Sequence, residues 1–173
     1  MNDVLTTAKT QPGKELFIQM VLSAWDTHIA RTNKLLEELS DEALAAPVAP
    51  GRNTGTYILG HLVAVHDGML TLLGLGDKLY PQLDSLFLTN PDNAETAKHS
   101  LQELRQYWAT VNTKLSQQIA GVPADEWFNR HTAVSEADFA KEPHRNKLNI
   151  LISRTNHLAY HWGQLVFLKP KKQ

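Results

Sequence analysis

An all-α four-helix bundle of up-down-down-up type, with a long connection between its second and third helices, is the fold class this sequence predicts. Four segments repeat apolar residues at three- and four-residue steps, which is the helical period. No stretch alternates apolar and polar residues as a half-buried strand would, and Pro- and Gly-rich breaks separate the four segments.

The first helix is expected from about Lys14 to Leu39, where Leu16, Phe17, Met20, Val21, Trp25, Ile29, Leu35 and Leu36 recur at helical spacing. "DEALAAPVAPGRN" then breaks it with two prolines and a glycine. Asn53 or Thr54 is placed to cap a second helix, whose stripe is Ile58, Leu62, Val65, Met69 and Leu72. That stripe fades at "LLGLGDKLYP". Asn90 followed by Pro91 reads as a cap with proline in the first turn, opening a third helix. Its seam is Leu101, Leu104, Trp108, Val111 and Leu115, and Gly121 and Pro123 close it. Residues 121–146 hold no sustained period and are long for a loop, which points to a lid or a short extra element. The fourth helix runs from about Lys147 to Leu168 and stops before Pro170. Residues 1–13 read as a flexible leader and 14–169 as one domain.

Composition narrows the function classes. Lys plus Arg (17) nearly balances Asp plus Glu (18), so no overall field draws the chain to nucleic acid or an anionic membrane. The absence of cysteine removes disulfides, thiolate ligands and a cysteine nucleophile together. The first residues lack the basic start and apolar core of a signal peptide, and no apolar run approaches the ~20 residues of a membrane span. A cytoplasmic protein is expected.

The chemistry concentrates in histidine. "HLAYH" on the fourth helix sets His157 and His161 four residues apart, just over one turn, so both rings point the same way. Such pairs arise by chance as well: eight histidines in this length yield roughly 0.4 of them, so the spacing alone is a weak sign. Their position on the helix adds to it. With His157 as zero and ~100° per residue, Leu151, Thr155, Leu158, Trp162, Leu165 and Val166 fill an inward arc from ~80° to ~180°. His161 at ~40°, Arg154 at ~60° and Gln164 at ~−20° lie on its edge, reachable by solvent and walled by neighbouring helices. Arg154 is placed to attract an anionic substrate, and Gln164 to orient His157 or a water. The opposite face, with Asn149, Ser153, Asn156, Tyr160 and Gly163, faces solvent or a second subunit.

Catalytic zinc-type centres use three protein ligands and keep a position open. The second helix offers His61 and His66 on opposite flanks of its stripe, and periodicity does not choose between them; His28 on the first helix is a further candidate. As readings without chemistry, His28 is a hydrogen-bonded core residue, His66 with Asp67 a surface pair, and His99, His131 and His144 solvated. Trp127 is the tryptophan placed to line a cavity.

"NTGTYILGHL" and "HLAYHWGQL", in this helix order, resemble the DinB-like or YfiT-like proteins, bacterial four-helix bundles. The resemblance implies that a histidine in a "GHL" context joins the H-x-x-x-H pair on one divalent metal ion, which assigns His61, His157 and His161. Trp162 stands where many relatives carry a smaller or basic residue. The family includes thiol S-transferases that use bacillithiol or mycothiol, so the resemblance implies a metal-dependent enzyme, thiol transfer ranking ahead of hydrolysis. Any thiol would be a small cosubstrate, since the chain has no cysteine. Imidazole ligands suit zinc, nickel, iron and copper alike, so the metal is not named by the sequence. A homodimer is expected, and no nucleic-acid or membrane partner. The rival class is a non-catalytic protein, a metal-binding or dimeric helical bundle.

Overall fold

The computed structural model describes residues 12–92 and 99–170. Four long helices dominate them: α1 (Pro12–Glu38), α3 (Gly55–Leu72), α5 (Leu101–Ala120) and α7 (Lys147–Leu165). Three short ones fill the connections: α2 (Asp41–Ala45), α4 (Leu83–Phe87) and α6 (Glu136–Lys141). Two 3₁₀ turns, Ala124–Phe128 and Val166–Leu168, follow α5 and α7 respectively, and no strand occurs among the described residues. Residues 1–11 of the expected leader lie outside the described residues, and Pro12 and Gly13 already belong to α1.

Local chemistry sets the helix starts. Thr54, rather than Asn53, caps α3 by accepting from the Tyr57 N–H, and Asn146 caps α7 by accepting from the Asn149 N–H. The third long helix starts later than Asn90–Pro91 suggested. Ser100 and Glu103 form a reciprocal capping box that opens α5 at Leu101. Asn90 is used differently: its amide donates to the Ser85 carbonyl, and its own carbonyl accepts from the Tyr57 hydroxyl at 2.6 Å. Residues 93–98, between the two candidate starts, lie outside the described residues.

The long stretch after α5 holds a short extra element, one of the two outcomes expected there, and a 3₁₀ turn besides. Trp127 on that turn is 1% exposed and belongs to the core instead of lining a cavity. The core runs through all four long helices, with Trp25, Leu62, Met69, Leu104, Trp108, Leu115, Leu151 and Leu158 among its members. Burying each such side chain contributes about 1.5–3 kcal/mol before the entropy of ordering is subtracted.

Two features fix α3 and the chain that follows it. Asp67, fully buried, accepts from the Leu79 and Tyr80 N–H groups at 2.8 Å each, tying the connection back to the helix it left. At Gly60 a Cβ would lie 2.3 Å from the Phe87 ring, so only glycine lets α4 pack this closely on α3.

Candidate metal centre

Three rings meet between α3 and α7. His61 Nε2 lies 3.1 Å from His157 Nε2, which lies 3.2 Å from His161 Nε2. One nitrogen of each ring falls within 4.8 Å of the other two, and no carboxylate joins the group among the described residues. His157 and His161 sit together because four residues bring α7 back to the same face. His61 faces them from nearly two turns inside the start of α3.

The outer nitrogens explain why the inner ones converge. His61 Nδ1 is 2.8 Å from the carbonyl of Phe87, an atom that only accepts, so Nδ1 carries the proton and Nε2 presents a lone pair. His161 Nδ1 is 2.7 Å from Gln164 Oε1, and the same logic leaves its Nε2 bare. The two lone pairs both face His157 Nε2, and one proton there can serve only one of them. A cation among the three removes the conflict. Ligands at 2.0–2.1 Å from a common ion stand roughly 2.8–3.4 Å apart in octahedral to tetrahedral geometry, and the two separations from His157 Nε2 fall in that range.

Electrostatics favour the same state. Burial, then the neighbouring His161, His61 and Arg154, hold the His157 pKa down to about 4. Burial also lowers that of His161, with Gln164 opposing. Both rings are therefore neutral near pH 7 and ready to donate lone pairs. Tyr57 stacks on His61 with 6.4 Å between centroids, and Tyr160 meets His161 edge-on at 5.0 Å, so aromatic walls flank the cluster.

Of the candidates that helical period left open, the structure brings His61 to the pair and leaves His66 and His28 outside the group. His66 and Asp67 are not a surface pair. Both are fully buried, because α5 closes over a side of α3 that the stripe left unassigned. The His66 ring lies between Trp25 and Trp108, 4.9 Å from each, with Nδ1 2.8 Å from Asn112 Oδ1. His131 is also buried rather than solvated, at 9% exposure. His28 is half-buried with no hydrogen-bond partner on Nδ1, contrary to the expected hydrogen-bonded core role. Gln164 orients His161 and not His157. Arg154 is half-buried on the same strip of α7, and its Nε is buried without a hydrogen-bond partner.

Two contributors were not anticipated. Phe87 supplies the carbonyl that aims His61, and Gly60 makes room for Phe87. A glycine inside a helix costs about 1 kcal/mol against alanine, so its place beside His61 was the available signal of a close approach.

No curated protein matches the chain in sequence. A family model described as the DinB superfamily matches residues 24–165, a span from within α1 to the last residue of α7 that contains all three histidines. That span is most of the chain, and the protein belongs to the DinB superfamily.

Proposed function

We propose that the protein is a divalent-metal-dependent enzyme in which His61, His157 and His161 hold the ion, with transfer of a small thiol ranking ahead of hydrolysis. The observation that carries this reading is the meeting of three imidazole nitrogens, two of them held as lone pairs by acceptors on their far sides. A divalent ion on neutral ligands keeps its full charge and, with positions left open, lowers the pKa of a thiol or water that reaches it. The chain's own residues do the rest. Phe87 and Gln164 fix the tautomer and aim of two rings, while Tyr57 and Tyr160 wall the approach.

A three-nitrogen set that no carboxylate joins among the described residues favours catalysis over a closed structural site, which would use a fourth protein ligand. The test is elemental analysis of wild type and of His61→Ala, His157→Ala and His161→Ala, followed by a screen pairing small thiols with electrophiles. About one equivalent in wild type and near none in the variants is expected. Equal metal content throughout rejects the site. Stoichiometric metal with no turnover, and a melting temperature that collapses on chelation, selects the non-catalytic bundle.

The same reading places the protein in the cytoplasm as a homodimer. No helix among the described residues is long and apolar enough to cross a membrane. On the outer face of α7, Asn149, Ser153, Asn156 and Tyr160 are exposed and form the proposed contact. A single monomer mass by light scattering across micromolar concentrations removes the dimer.

The proposed up-down-down-up order rests on matched ends. Lys14 pairs with Asp125, whose neighbour Glu126 pairs with Lys147 at the start of α7; Trp162 Nε1 donates to the Arg31 carbonyl, and Lys169 pairs with Glu38. Arg105 near the start of α5 donates to the Leu36 and Leu39 carbonyls at the end of α1, and Leu168 meets Gly55 at the start of α3.

A further inference from the structure

Arg154 is a charged side chain without a visible duty. It sits three residues before His157 and seven before His161, about 4.5 Å along the axis from the nearer one and within a ~60° strip of α7. Its Nε is buried without a hydrogen-bond partner. None of the ion pairs among the described residues includes it. Arginine is seldom buried even in part without a counter-charge, and here burial pushes its pKa down with nothing opposing. His157 Nδ1 is a second buried nitrogen with no partner. When Nε2 binds an ion, the proton of the neutral ring moves to that nitrogen, which then needs an acceptor.

The charges point the same way. Three neutral imidazoles do not offset a divalent ion, and no carboxylate enters the cluster among the described residues. Beside the guanidinium, the occupied site would hold positive charge with no anion of the described residues against it. A guanidinium presents paired N–H donors whose fork matches a carboxylate.

We propose, building on the metal-centre reading above, that the substrate is a small molecule bearing a carboxylate, which Arg154 receives while the reactive group of the same molecule reaches the histidines. For thiol transfer the class is a mercaptocarboxylic acid or a larger thiol carrying an acid at comparable spacing. Arg154 is thus the residue that selects for charge, and the histidines select for the donor atom.

The test uses the full chain loaded with cobalt(II), whose visible spectrum reports ligand binding. Mercaptoacetate and 2-mercaptoethanol, which differ in a carboxylate against a hydroxymethyl group, are titrated in parallel. Wild type is expected to bind mercaptoacetate about tenfold more tightly or better, the effect of one charged hydrogen-bonded contact. Arg154→Gln is expected to abolish the preference while 2-mercaptoethanol binding changes by less than about twofold, and Arg154→Lys to restore part of it. No preference in wild type, or one that survives in Arg154→Gln, overturns the proposal. Should Arg154→Gln fail to fold, Arg154→Lys decides: a preference undiminished from wild type overturns the proposal, since chelation of cobalt by mercaptoacetate would alone give one. Sulfate is the arm for a free inorganic anion: if it displaces mercaptoacetate as well as acetate does, the site takes any small anion and the carboxylate assignment falls. Wild type that takes up no cobalt, or His161→Ala that keeps it, overturns the metal centre and the substrate class together, a result distinct from an unchanged ratio on loaded protein.

Discussion

His61 and His66 stand five residues apart on α3 and meet opposite fates. His61 has an acceptor behind it, the Phe87 carbonyl, and two imidazole nitrogens in front. His66 has an amide oxygen on Nδ1, two tilted tryptophan rings at 4.9 Å, and a buried Nε2 with no partner. Burial, opposed by Asn112, holds the His66 pKa down to about 3, so it stays neutral as a core side chain. The difference between them is in their neighbours. A histidine becomes a ligand candidate when its proton is held on the far nitrogen and other lone pairs share its near side; tryptophan rings and full burial turn the same side chain into packing.

The comparison is broken most directly by removing one ring. His157→Ala is expected to lower metal affinity by more than about a hundredfold, whereas His66→Gln is expected to keep about one equivalent bound. Equilibrium dialysis with elemental analysis checks both, and metal loss in His66→Gln would erase the distinction. Gly60→Ala is expected to act on both sides of it. The added methyl meets the Phe87 ring, so stability should fall by about 1–3 kcal/mol, and displacement of the Phe87 carbonyl should weaken metal binding about tenfold or more. Urea unfolding of apoprotein separates the first effect from the second.

The pH dependence sharpens the contrast. His66 titrates near 6.5 when unfolded and near 3 when folded, so between those values the unfolded chain binds more protons. Stability present above pH 6.5 is therefore lost as pH falls toward 3. Relative to His66→Gln, metal-free wild type is expected to lose about 1–2 kcal/mol more between pH 7 and pH 5, measured by urea unfolding at each pH. Parallel curves would mean that His66 is not held neutral. The smallest effect is expected from Gln164→Ala, which removes the acceptor behind His161: about tenfold in metal affinity, with little change in apoprotein stability.

The sequence was most legible where a helix has one buried stripe and a solvent face. α1 and α7 begin and end within a few residues of their apolar stripes, although at the start of α1 Leu16, Phe17 and Met20 are exposed and Ile18 is buried in their place, and the edge of the α7 arc carries His157, His161, Arg154 and Gln164 as its angles imply. α3 was harder because it is buried on most sides, so Leu59, Val63, Ala64 and His66 lie in the interior beside the expected stripe. No single-face period separates His61 from His66 on such a helix; the "GHL" motif named His61, and His61 is the one that meets His157 and His161. α4 and α6 are five and six residues long, too short to express a 3.6-residue period. Asn90–Pro91 misled because its cap chemistry is real but is spent on the turn after α4, while Ser100 and Glu103 have the stronger reciprocal arrangement. The carbonyl of Phe87 was beyond a sequence reading, since every residue has one and only the fold says where it points.

That carbonyl has a thermodynamic consequence. Because the atom that steers His61 belongs to α4, the grip on an ion depends on a crossover fastened by Asp67 and by the ring of Phe87 over Gly60. A transient detachment of this crossover would let the imidazole swivel while the four long rods remain assembled. Release of the ion should then follow the opening rate of one small foldon, with a barrier well below that of global unfolding.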